Sequence, residues 1–100
     1  MSASPLTVIA VTRAKPGRAD ALRAAQEQLV ADTLREDGCL RYELHQSLED
    51  PHLLIFVESW QSEEKLQAHL TGAAIARFDA SGPRAHLADL VIHRMEKIAG

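Results

Sequence analysis

Two stretches of this chain, Leu6 to Arg13 (LTVIAVTR) and Leu53 to Trp60 (LLIFVESW), carry apolar side chains at both odd and even positions. Successive side chains of a β-strand point to opposite faces. A strand that is apolar on both faces therefore has to be covered from two sides. β-Branched and aromatic residues dominate both stretches, which favours strand over helix. Lys15-Pro16-Gly17 ends the first, because proline cannot donate to a ladder and glycine frees the turn. Glu49-Asp50-Pro51-His52 is a turn that opens the second. One hundred residues give a single domain spanning 1–100, with an ordered core over about 6–96. So short a chain buries only about two-thirds of the surface its unfolded form exposes, yet 46% of it is apolar. The surplus calls for a second copy of the chain.

Between and after these strands the period changes. From Arg18 to Asp37 the residues Leu22, Ala25, Leu29 and Thr33, with Val30 and Leu34 alongside, recur at helical spacing. Arg18, Arg23, Glu27 and Asp32 fall outside that stripe, on the solvated side. Gly38 is placed to stop the helix in a left-handed conformation. Cys39 to Ser47 alternates, with Leu40, Tyr42 and Leu44 on one face and Arg41, Glu43 and His45 on the other. Ser62 is a good N-cap, followed by Glu63 and Glu64 at the positive end of the helix dipole. That helix turns Leu66, His69, Leu70 and Ala73 inward and loosens near Gly72. A second helical piece, Ala73 to Ala80, carries Ile75 and Phe78. After Ser81-Gly82-Pro83, a last strand runs from Ala85 to Met95 with Leu87, Leu90, Val91 and Ile92. The order β-α-β-β-α-β is the split βαβ plan of ferredoxin-like α+β folds, an antiparallel sheet with its helices on one face. Its other face is then apolar and open, and a homodimer covers it together with the exposed edges.

Charge and composition exclude several function classes. The net charge is −3 with both signs scattered, and nucleic-acid binding rests on a clustered basic patch. No apolar run approaches the roughly 20 residues that span a bilayer. Met1-Ser2-Ala3-Ser4-Pro5 is too short and too polar for a signal peptide. The single cysteine, Cys39, cannot form an intrachain disulfide, which fits a cytoplasmic protein. It reads as a small buried hydrophobe.

Phosphate loops, paired zinc cysteines, His-Glu-x-x-His and nucleophile elbows are absent from the sequence. Three groups could carry chemistry. Glu58 shares a strand face with Phe56 and Trp60. It is either a carboxylate whose pKa burial raises into a useful range, or a strand-end group that reaches solvent. His69, on the inner stripe of its helix, is either a pocket-lining proton carrier or a satisfied core histidine. His45, His86 and His93 form no metal set, because His86 and His93 fall seven residues apart, on opposite faces of a strand.

Several segments together resemble the antibiotic biosynthesis monooxygenase family. They are Leu6-Thr7-Val8-Ile9-Ala10 running into Lys15-Pro16-Gly17, then Gly38-Cys39-Leu40-Arg41-Tyr42, and above all Glu58-Ser59-Trp60-Gln61-Ser62 followed by Ala68-His69-Leu70. The resemblance runs from Leu6 to about Met95. It implies a dimeric α+β barrel in which each subunit lends its last strand to the other. It also implies a monooxygenase that takes a small quinol-like or polyketide aromatic substrate and oxygen, with no metal and no flavin or other cofactor. In that scheme His69 carries the proton and Glu58, the second catalytic residue, orients a neighbour or anchors the strand end. Trp60 is a stacking wall, and Tyr42, Phe56 and Phe78 complete the substrate-binding set. The family often has Pro-His a few residues after Ala-His-Leu, where this chain has Ala73-Ala74, so a two-histidine mechanism is weakened. The haem-degrading branch carries an iron-binding histidine near the position of Asp79, and no histidine stands there.

Two other classes compete. One is a small-molecule isomerase on the same dimeric barrel acting on sugar-like phosphates, for which Arg41 and Arg77 are the candidate phosphate contacts. The other is a non-catalytic ligand-binding or regulatory dimer, because fold does not fix function. The doubly apolar strands carry the dimer expectation. Size-exclusion chromatography with light scattering should return twice the chain mass, and a well-folded monomer at micromolar concentration would contradict it.

Overall fold

The first strand forms where the sequence alternates two apolar sets. In the computed structural model, which describes residues 5–100, β1 spans Leu6–Ala14. Met1 to Ser4, the start of the stretch read above as too polar for a signal peptide, lie outside the described residues. Helix α1 spans Ala19–Thr33, β2 Cys39–Gln46 and β3 Leu53–Trp60. Helix α2 spans Glu63–Leu70 and α3 Ala73–Ala80. A short 3-10 turn over Pro83–Ala85 leads into β4, Leu87–Glu96. The four strands make one sheet in the order β2-β3-β1-β4, with every neighbouring pair antiparallel. This is the ferredoxin-like plan expected from the order of elements.

One face of the sheet is buried under the helices. Val8, Ala10, Thr12 and Ala14 of β1 and Leu54, Phe56, Glu58 and Trp60 of β3 all point into it. Helix α1 presents Leu22, Gln26, Leu29 and Thr33 to this face. Helix α2 adds Leu66 and His69, and α3 adds Ala74. Ser62 caps α2 as the sequence indicates, its Oγ accepting from the Lys65 amide at 3.2 Å. The opposite face carries Ile9, Val11, Ile55 and Val57, which are half-buried. The edge strand β4 is exposed along nearly its whole length, with Leu90, Val91, Ile92 and Met95 between 42% and 53% accessible.

Several details depart from the sequence reading. Helix α1 stops at Thr33, four residues before Asp37, and a turn carries the chain to Gly38. Asp32 is half-buried: its carboxylate accepts from Arg77 Nε on α3 at 3.0 Å, and that bond holds its pKa below the ordinary value. Leu40 leaves the core face and is 58% exposed, because the β2–β3 register shifts between Cys39 and Arg41. Ala74 is buried where Ala73 was expected, since the break at Gly72 resets the helical phase between α2 and α3. His86 precedes β4, so it shares no strand with His93.

Gly38 is the turn position on which the β2 start depends. Its φ is 85°, a region that costs an L-residue about 1–2 kcal/mol. A Cβ there would also collide with the Lys65 side chain. Gly38→Ala should lower stability by about 1–2 kcal/mol in urea denaturation. An unchanged midpoint would show that the turn relaxes freely.

Candidate active site

Strand register arranges the helix-covered face in rows. One row runs Tyr42, Glu58, Val8, Arg94 across β2, β3, β1 and β4. The next runs Leu44, Phe56, Ala10, Ile92, and a third runs Gln46, Leu54, Thr12, Leu90. Three helices, α1, α2 and α3, roof the rows, and a cavity of about 150 Å³ remains beneath them. Val8, Ala10, Phe56, Leu29, Leu66, Ile75 and Phe78 make most of its wall apolar, and Glu58, His69, Gln26, Thr12 and Arg94 supply polar groups. A larger groove of about 370 Å³ passes Arg23, Glu27 and Gln46 beside β2, and it touches none of the expected site residues.

Glu58 is 5% exposed. Its position follows from strand alternation: a residue two before Trp60 must share the indole's face. The Trp60 indole Nε1–H donates to Glu58 Oε1 at 2.9 Å. Burial penalises the charged carboxylate and pushes its pKa up to about 7, the indole hydrogen bond opposing that rise. The reading of a strand-end carboxylate that escapes to solvent is therefore overturned. The same burial, with Glu58's charge added, raises the pKa of the Tyr42 phenol and keeps it protonated. Burial and the nearby Glu36 and Glu58 also raise the Cys39 pKa, so it stays a thiol.

His69 is 3% exposed and lies over the indole, with ring centroids 4.6 Å apart and planes inclined by 33°. Tyr42 meets the imidazole edge-on at 5.4 Å. Nδ1–H of His69 donates to Glu36 Oε1 at 2.6 Å. A carboxylate at Nδ1 makes that nitrogen the donor, which leaves Nε2 as the lone-pair nitrogen of the neutral ring. Glu36 thus orients His69 much as a carboxylate orients a catalytic imidazole.

The structure brings His69, Glu58, Tyr42, Phe56 and Phe78 to one cavity. Trp60 is different: it is fully buried and lies behind Glu58 and His69, outside the wall. The expectation that Trp60 and His69 face the same cavity needs that correction, and it arises because the indole is the last residue of β3 and is sealed beneath α2. Arg41 pairs with Glu43 at 2.9 Å on β2, and Arg77 with Asp32, so neither borders the cavity. The guanidinium that does is Arg94, ion-paired with Glu63 at the start of α2. Sequence reasoning missed Arg94, Glu36 and Gln26. A hydrophobic-stripe search passes over polar residues, although Gln26 does stand at helical spacing from Leu22 and Leu29. Among the described residues, no three His, Cys, Asp or Glu side chains are grouped to hold a metal ion. Among the same residues, no helix is long and apolar enough to cross a membrane.

Known proteins share both sequence and fold. A family profile described as antibiotic biosynthesis monooxygenase matches residues 5–81. A Mycobacterium tuberculosis protein named "Putative monooxygenase Rv0793" is 36% identical over 66 residues, which is 66% of this chain. The match spans 64% of that curated relative's length. Its solved structure superposes with a TM-score of 0.87 at 26% identity, covering 97% of this chain and 98% of that one. The crystal structure of PA3566 from Pseudomonas aeruginosa superposes with a TM-score of 0.91 at 36% identity, covering 99% of each chain.

Burial of Glu58 has a pH signature. Its carboxyl titrates near its ordinary 4.5 when unfolded and at about 7 when folded. Below 4.5 both states are protonated and the group is neutral in its effect. Between 4.5 and 7 the unfolded chain ionises first, so stability falls as pH rises, by on the order of 3 kcal/mol in all. Glu58→Gln should remove that loss, so that wild type and variant diverge across this window in chemical denaturation. Parallel curves would mean that Glu58 is solvated.

Proposed function

Because this chain belongs to the antibiotic biosynthesis monooxygenase family, we propose that it is a cofactor-independent monooxygenase acting on a small quinol-like aromatic. The observation that carries this reading is that His69 and a near-neutral-pKa Glu58 share one end of a mostly apolar cavity. An electron-rich phenol that loses its proton in a dry pocket becomes able to reduce oxygen itself. The protein's tasks are then to bind the ring, take the proton and exclude water. His69 Nε2 accepts the phenolic proton, and Glu36 stabilises the imidazolium that results. Glu58, balanced between its two protonation states near neutral pH, returns a proton as one oxygen atom leaves as water and the other stays on the ring.

Cavity size bears on the substrate. A site of about 150 Å³ is comparable to engineered apolar cavities that take up benzene. A single ring fits within one subunit, whereas a tricyclic polyketide anthrone would extend past β4. That side is where a second copy belongs. Leu90, Ile92 and Arg94 border the cavity yet stay largely exposed, so pairing across β4 and the outer sheet face would close the pocket as well as cover apolar surface. A phosphate-handling isomerase is less well served, since Arg94 is the single guanidinium at the cavity and Glu63 already neutralises it.

Oxygen uptake with a panel of hydroquinones and anthrones tests the proposal. Turnover should be found with single-ring quinols and survive dialysis against a chelator. His69→Ala, verified as folded by circular dichroism, should lower it by roughly 10². Unchanged turnover in that variant would leave His69 a structural residue, and no uptake with any member of the panel would favour a ligand-binding dimer.

A further inference from the structure

Gln26 is 1% exposed and borders the same cavity from α1. The hydroxyl of Thr12 donates its one proton to the Leu54 carbonyl at 2.7 Å. It can therefore only accept from Gln26, whose Nε2 lies 2.9 Å away. This chain of bonds determines which way round the amide stands, since an oxygen in place of Nε2 would set two acceptors against each other. Among the described residues, the other end of the amide, Oε1, is buried without a hydrogen-bond partner. Folded proteins leave few such acceptors unpaired, and each calls for an explanation.

We propose that Gln26 is a specificity-determining residue whose Oε1 accepts a hydrogen bond from a hydroxyl of the bound ligand, at the end of the cavity remote from Glu58. Thr12 and Val8 are four residues apart on β1, so Gln26 over the Thr12 row and Glu58 on the Val8 row are separated along the sheet by roughly 13 Å. Between them lies the apolar row of Phe56, Ala10 and Ile92. The ligand class this selects carries a donor at each end of a flat apolar body. Thr12 serves as a positioning residue, holding the amide so that its oxygen is the end left free. The inference rests on the reading that this cavity holds the ligand, and it does not depend on oxygenation.

The test measures binding of hydroquinone and of its monomethyl ether, 4-methoxyphenol, under argon. Wild type should prefer hydroquinone by about tenfold, because the ether presents an acceptor or a methyl group to an acceptor. In Gln26→Leu the preference should fall to about onefold, with the affinity for 4-methoxyphenol kept or raised. Should that variant not fold, the side-chain amide resonance of Gln26 in wild type provides the readout: it should shift with hydroquinone and stay in place with 1,4-dimethoxybenzene. Equal affinities in wild type, a preference that survives Gln26→Leu, no binding of either phenol, or an unmoved resonance would each overturn the proposal and leave Oε1 to a buried water. A Gln26-dependent preference without oxygen uptake would sink the monooxygenase reading alone. Oxygen uptake without any such preference would sink this inference alone.

Discussion

The hydrogen bond from the Trp60 indole to the Glu58 carboxylate is the contact around which the site is organised. A carboxylate on the covered face of a sheet is expensive to ionise unless something donates to it. Here one neutral N–H does so, enough to keep the group oriented and too little to hold its pKa at the ordinary carboxylate value. The indole that donates is also the surface on which His69 lies. One buried side chain thereby positions both groups proposed for proton transfer. Glu36 completes the arrangement from the turn after α1, reaching the imidazole from the far side of the roof.

The fold makes this possible by separating strength from access. The central strands β1 and β3 are paired on both sides and bury their even-numbered residues under the helices. That pairing holds Glu58, Phe56 and Val8 in register at the floor of the cavity. The open side lies at β4, an edge strand exposed along nearly its whole length. Edges of this kind invite pairing, and three of the residues left open on it, Leu90, Ile92 and Arg94, also border the cavity. A second copy would then be part of the pocket wall as well as a source of stability.

Two sets of polar groups stand at the ends of the cavity. Glu58, His69 and Arg94 cluster over the Val8 row, and Gln26 with Thr12 over the Thr12 row. Apolar side chains lie between them, and buried groups such as Glu58, His69 and Gln26 sit in surroundings of lower dielectric than water, where each hydrogen bond counts for more.

Sequence alone determined the strands, the helices and the sheet plan, because those follow from local periodicity: two apolar sets alternating in β1 and β3, a 3.6-residue stripe in α1, and Gly38, Ser62 and Gly72 at the breaks. It also placed Glu58 on the face of Phe56 and Trp60, since alternation within one strand is a local fact. What it left open was which way those side chains meet solvent or partner groups. Glu58 could be buried or free, His69 could be a ligand residue or a core residue, and nothing in Glu36 or Gln26 marked them out. These depend on contacts between residues 33 positions apart, as for His69 and Glu36, or 14 apart, as for Gln26 and Thr12. Only the packing of α1 and α2 over the sheet decided them, because a pKa or an unpaired acceptor is a property of the surroundings and those surroundings come from elsewhere in the chain.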